Sequence, residues 1–331
     1  MTFVSGELRP RPADNETVAV DGQQASSGTC SWRAVGLAGL FIVGIWFAGN
    51  LASAVDRASR TDVVADLRPH GPIHTAADGR LVFVTGGTGP AAADGQVVAF
   101  DATSRTSATL LGELRRPLAA DLSPSGETCA ITEQDGDRPS MLICSTGLIV
   151  NLEAYAIDNR ASFQPAGGAR PADIVSDGRD GWYVSEASSA SILHVDRGGT
   201  IAPVATSAAF LHASPIGLAR DGDQIWYALA EYGIAGFRRG AAPYEIRGGQ
   251  WVESGIAMAL TPSPSLVVPF VLMRERYGIQ GWVTYQVPGD AEHPRVVDGL
   301  VSPQGLALLP DGRLAIAANG RLILYRPRSR P

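Results

Sequence analysis

From Asp62 onward the hydrophobic residues fall in short runs separated by polar turns. The clearest instance is Pro303-Gln304-Gly305-Leu306-Ala307-Leu308-Leu309, then Pro310-Asp311-Gly312-Arg313, then Leu314-Ala315-Ile316-Ala317. Runs this short, rich in aliphatic residues and bounded by turn formers, predict strands. Asp-Gly between two of them predicts a hairpin, because glycine accepts the positive φ that a primed two-residue turn demands. The same unit stands at Gly71-Pro72-Ile73-His74, followed by Asp78-Gly79-Arg80-Leu81-Val82-Phe83-Val84. Weaker copies follow Pro117, Pro171 and Pro215, with a proline-less version at Ser254-Gly255.

These anchors recur every 40 to 55 residues, which makes six units. About four strands per unit at that period predict an all-β fold, a six-bladed β-propeller. A single blade cannot bury both faces of its sheet, whereas a closed ring of blades covers them all. Closure predicts that Asp62-Val63-Val64-Ala65-Asp66-Leu67 supplies the outer strand of the blade that ends in Arg321-Leu322-Ile323-Leu324-Tyr325. No helical periodicity of useful length follows Val55.

The first 60 residues read differently. Residues 1–33 are polar and aperiodic and read as a disordered tail. Residues 34–55 hold 22 residues without a charge, and about 20 suffice to span the hydrocarbon core of a bilayer. A single transmembrane helix is the first reading. A signal peptide cleaved near Ala54, after the small-residue pattern Ala52-Ser53-Ala54, is the second. Both send residues 56–331 out of the cytoplasm, as an extracytoplasmic domain of a bacterial membrane protein or as a secreted one. The positive-inside count points the other way, with Arg33 alone on one side and Arg57, Arg60 and Arg68 on the other. Large domains, however, cross largely regardless of that count.

Composition narrows the chemistry. The net charge of −6 argues against a nucleic-acid partner. All 27 basic residues are arginine, so no lysine is present to act as Schiff base or nucleophile. Cys129 and Cys144 flank the polar segment Glu133 to Ser140. If that segment is a hairpin loop with Thr132 opposite Met141, the two cysteines stand opposite each other within disulfide reach. A disulfide there requires an oxidising compartment. Two small buried residues on neighbouring strands give the same pattern, so both readings stay open.

Two stretches carry a resemblance to known families. Asp180-Gly181-Trp182-Tyr183-Val184-Ser185-Glu186 followed by Ile192-Leu193-His194-Val195-Asp196 resembles a blade of the streptogramin-lyase type. Pro303 to Ala317 resembles the unit shared by NHL-repeat propellers and the gluconolactonase (senescence-marker) group. The resemblance covers roughly residues 65–326 as architecture and implies a binding site at one mouth of a central channel. In the gluconolactonase group a divalent metal sits there, held by a Glu and an Asn in Glu-Gly-Pro and Pro-Asn-Gly openings. Here the openings are His70-Gly71-Pro72, Pro171-Ala172-Asp173, Pro215-Ile216-Gly217 and Pro303-Gln304-Gly305, with neither residue in place. The Glu-x-x-His of the lyases is absent as well. No catalytic or metal-binding residue is therefore assigned and no cofactor is expected, with a divalent metal as the exception to test.

The remaining expectation is a binding or sensor module for a small molecule or protein, held to the membrane through residues 34–55. A lactonase-like hydrolase or a lyase with a degenerate site is the alternative. Residues near the openings of the inner strands are expected to meet at one mouth. Those expected to bind the ligand are Arg116, Arg170, His74, Asp121, Asp173, Glu253 and Gln304, with the two arginines holding an anionic group.

Overall fold

In the computed structural model, the described residues lie between 61 and 327, except 65–66, 90–92, 162–167, 207–213, 230–232, 241–243, 247–255, 263–268, 276 and 286–294. Residues 34–55 therefore lie outside them. No helix among the described residues is long and apolar enough to cross a membrane.

The strands build six antiparallel sheets of four, the blades of a propeller. Blade 1 runs from β2 (His70–Thr75) through β3 (Leu81–Thr85) and β4 (Gly95–Asp101) to β5 (Thr106–Leu114). Blade 2 holds β6 (Pro117–Leu122), β7 (Thr128–Thr132), β8 (Met141–Cys144) and β9 (Ile149–Asn151). Blade 3 holds β10 (Pro171–Ser176), β11 (Trp182–Glu186), β12 (Ser191–Val195) and β13 (Ile201–Ala205). Blade 4 holds β14 (Pro215–Asp221), β15 (Gln224–Leu229), β16 (Gly233–Arg238) and β17 (Tyr244–Ile246). Blade 5 holds β18 (Ile256–Thr261), β19 (Phe270–Arg274), β20 (Gln280–Tyr285) and β21 (Arg295–Val301). In blade 6, β22 (Pro303–Leu308), β23 (Leu314–Ala318) and β24 (Arg321–Tyr325) are completed by β1 (Thr61–Val64), which pairs Thr61 with Tyr325 and Val64 with Leu322. The ring is thus closed by its own first strand, as the pattern after Asp62 predicts.

Six apolar clusters occupy the six interfaces between adjacent blades, and aromatic residues lie in several. Trp182 joins blades 2 and 3, Tyr183 and Tyr227 join blades 3 and 4, and Trp282 joins blades 4 and 5. In these places aromatics of the second and third strands serve blade-to-blade packing.

Two local details depart from the sequence expectation. The Asp-Gly hairpins are wider than a primed two-residue turn. Leu309 N donates to Arg313 O and Gly312 N to Leu309 O, leaving three residues in the loop, with Gly312 at φ 82°. This is the three-residue hairpin with a left-handed glycine. Blade 1 repeats it at Ala76, Gly79 and Arg80. The second departure is a short helix, α1 (Leu152–Asp158), whose N-terminus is capped by Asn151 Oδ1 accepting from Glu153 N at 2.9 Å. Seven residues make two turns, too few for a periodic signal to register.

Every inner strand slips its pairing once, near its start: between His70 and His74, Pro117 and Ala119, Pro171 and Asp173, Pro215 and Leu218, Ala257 and Ala259, and Pro303 and Gly305. Four of these strands open on proline, which has no N–H for the ladder and belongs at a strand's first residue. The inner strands crowd there. A Cβ on Gly305 would lie 2.4 Å from Gly71 O, and one on Gly217 2.9 Å from Ala259 Cα. The slips let six strands converge on one axis, and they re-aim every side chain that follows.

Candidate functional site

The six inner strands line a central channel, and polar side chains tie neighbouring ones together. Asp121 Oδ2 in blade 2 accepts from Ser176 N in blade 3 at 2.8 Å. Asp173 Oδ2 in blade 3 accepts from Leu218 N in blade 4 at 2.7 Å. Thr261 Oγ1 in blade 5 accepts from Leu308 N in blade 6 at 3.0 Å, and Thr75 Oγ1 in blade 1 donates to Leu308 O at 2.8 Å. These bonds satisfy backbone groups of the inner strands, which have a sheet neighbour on one side only.

One contact does not follow the ring. His74 Nε2 of blade 1 lies 2.8 Å from Asp173 Oδ1 of blade 3, skipping the blade between them. Both side chains are buried, at 9% and 1% exposure. Burial alone would lower the imidazole pKa; the Asp173 carboxylate, its hydrogen bond and the nearby Asp121 reverse that and raise it to about 9. The ring is an imidazolium at neutral pH. Burial pushes the Asp121 carboxyl above its ordinary range, against the pull of His74, two backbone N–H groups and Arg220.

Above this pair opens a cavity of about 400 Å³. Its walls come from the far ends of the inner strands and the loops after them, with His74, Thr75, Asp121, Arg220, Asp221 and Thr261 as polar lining. Ile73, Val175, Ala219, Leu260 and Leu309 supply the apolar part. The volume falls in the range of small-molecule sites, and the mixture of apolar wall and few polar groups is typical of them.

The residues expected at one mouth divide between two ends. His74 and Asp121 line the cavity, and Asp173 is bonded to His74 without lining it. Arg116, Arg170 and Gln304 lie at the opposite, starting ends of the inner strands. Arg116, at φ 44°, forms an ion pair with Glu133 and donates to Gln134 O at 3.1 Å. The Arg170 backbone N donates to the buried Glu186 Oε1 at 2.7 Å, and Gln304 Oε1 accepts from Gly71 N at 3.3 Å. Glu253 lies outside the described residues. Thr75, Arg220, Asp221 and Thr261 are polar cavity residues that sequence reasoning missed. Arg220 stands at the end of β14, away from the openings of the inner strands.

Among the described residues, the metal of the gluconolactonase group finds no matching donor set. His70 Nε2 bonds Pro117 O at 2.9 Å. Both oxygens of Asp121 and of Asp173 already accept backbone N–H groups. Among the described residues, the one group with ligand atoms close enough to share an ion is Glu127, Cys129 and Cys144. There Cys129 and Cys144, directly opposed across β7 and β8 with Cα atoms 4.1 Å apart, are joined to each other as a disulfide. A hard cation seeks several free oxygens, and this set does not offer them.

No protein-family model matches the chain, and no curated protein matches it in sequence. Solved structures do share its fold. A streptogramin B lyase aligns at 14% identity and a TM-score of 0.51, over 81% of this chain and 97% of that one. A gluconolactonase from Xanthomonas campestris aligns at 13% identity and 0.52, over 81% and 89%. A luciferin-regenerating enzyme aligns at 11% identity and 0.55, over 80% and 94%. At these identities the likeness is one of fold, and function must be argued from the site.

Proposed function

We propose that the propeller is a binding module that takes a small polar molecule into the channel cavity. The observation that carries this reading is the cavity of about 400 Å³, lined by His74, which is itself bonded to the buried Asp173 of blade 3. Phenylalanine at Ala219, a buried residue on the cavity wall, would fill the space. In a thermal-shift screen of polar small molecules, compounds that stabilise the native chain should leave Ala219→Phe unmoved. Equal stabilisation of both would refute the reading.

A second reading, a hydrolase or lyase, is favoured by one specific feature. A carboxylate-held histidine borders the cavity, and groups of this kind serve as general acids. The solved structures of like fold include a gluconolactonase and a streptogramin B lyase. Incubation with a gluconolactone and with a streptogramin B tests this directly. Turnover that disappears in His74→Asn would establish the enzyme.

The same proposal places the module outside the cytoplasm, held to the membrane by residues 34–55. The 22 uncharged residues of that segment support it, and the Cys129–Cys144 pairing suits an oxidising compartment. Alkaline phosphatase fused after Pro331 should be active in intact bacteria. An inactive fusion would place the propeller inside.

A further inference from the structure

Arg220 is half-buried on the cavity wall, and among the described residues its guanidinium makes no hydrogen bond or ion pair. Other arginines of the ring are tied down. Arg80 is held by Asp78 and Arg313 by Asp311 within the hairpin loops of blades 1 and 6. Arg239, just past β16 on the same side of blade 4, is half satisfied. Its Nη2 lies 2.5 Å from Asp223 Oδ1, while its Nη1 is buried without a partner among the described residues. Both side chains reach the same point of the neighbouring blade. A Cβ placed on Gly178 would lie 2.9 Å from Arg220 Nη1 and 3.9 Å from Arg239 Nη2. Gly178 has φ 82° and no side chain, so it leaves room where the two cations meet, beside the cavity wall that Arg220 lines.

Two of the nearby acids, Asp177 and Asp121, are already engaged, and Asp221, beside Arg220 on the cavity wall, forms no ion pair with it among the described residues. Asp177 Oδ1 accepts from Arg179 N and Gly181 N, and its Oδ2 takes His194. Both Asp121 oxygens accept backbone N–H groups. Two like charges converge with donors to spare, and a buried donor without an acceptor is costly. We infer that Arg220 and Arg239 form a subsite for an oxyanion, a carboxylate or phosphate, carried by the molecule that enters the cavity. The planar fork of a guanidinium matches either group with two parallel hydrogen bonds. The inference rests on the cavity being a ligand site, and it names the chemistry that such a ligand must carry.

Calorimetric titration of the full chain with inorganic phosphate and with succinate, at matched ionic strength, tests it. At least one of the two should bind, and the preferred one identifies the kind of oxyanion. Arg220→Gln should weaken binding about tenfold or more, the loss of charge-assisted hydrogen bonds. Arg220→Lys keeps the charge without the fork and should fall between. Arg239→Gln should weaken binding as well, whereas Arg197→Gln, at an exposed pair with Asp180, should not. If neither anion binds, or if folded Arg220→Gln and Arg239→Gln bind as the native chain does, the subsite is overturned. The Ala219→Phe variant separates the two ideas. Anions that still bind it but fail in the arginine variants sustain the subsite and sink the cavity reading. Anions that fail in it but bind the arginine variants unchanged do the reverse.

Discussion

His74 and Asp173 are 99 residues apart in sequence and belong to blades that are not neighbours, yet their side chains meet at 2.8 Å. The contact fastens blade 1 to blade 3, and its histidine lines the cavity. A buried ion pair of this kind is costly to break from one side, because the remaining charge is left without a partner.

The pH dependence of stability follows from that pair. The folded pKa of His74, about 9, lies above the ordinary value of 6.5. Its contribution is therefore complete below pH 6.5 and is lost as pH rises through about 9. The native chain should be less stable toward urea at about pH 9.5 than at about pH 6, by on the order of 3 kcal/mol from this group. In His74→Asn that component should vanish, and an undiminished pH slope in the variant would refute the assignment.

Closure by the first strand predicts a truncation effect. β1 contributes four residues to the blade 6 sheet, from Thr61 to Val64. A chain starting at residue 67 should melt well below one starting at residue 56, because β24 becomes an unpaired edge. Equal melting temperatures would mean that the ring does not depend on its clasp.

The Cys129–Cys144 bridge closes a loop with a sequence separation of 15. Loops of that size are worth about 3 kcal/mol through restriction of the unfolded chain. Replacing both cysteines with alanine should lower the denaturation midpoint accordingly. The reducing agent that destabilises the native chain should leave the double variant unaffected.

Crowding at the strand openings predicts an intolerant glycine. Gly305→Ala would place a methyl group 2.4 Å from Gly71 O, a backbone atom that cannot swing aside. The expected loss is about 1–3 kcal/mol, measured by urea denaturation, as for other overpacked positions. By contrast, Arg116→Ala removes a partly exposed pair with Glu133 and should cost under about 1 kcal/mol.

Much of the ring was legible because it is written locally. Proline at an inner strand's start, Asp-Gly at the following hairpin and the spacing of these signals give the blade count without any long-range information. The disulfide register was legible for the same reason, since one hairpin loop places Cys129 opposite Cys144. The candidate site was only half legible. His74, Asp121 and Asp173 stand out as polar residues in apolar strands. That they part company with Arg116, Arg170 and Gln304 depends on position along the channel. The pairing slip in every inner strand also breaks the alternation by which a sequence tells one face from the other. Arg220 and Arg239 escaped notice because they come together only when blade 4 is set against Gly178 of blade 3. Nothing near either residue in the chain announces that meeting.

The clasp has one more effect. β1 runs antiparallel to β24, with Thr61 beside Tyr325, and β24 runs in the same direction as β22, whose far end carries the cavity residue Leu308. The polypeptide therefore enters and leaves the ring on the side where the pocket opens. A dye, resin or carrier protein attached through either end of the ring stands at the ligand's doorway. The face bearing Gln304 and Arg116 is the one from which the propeller can be held without obstructing it.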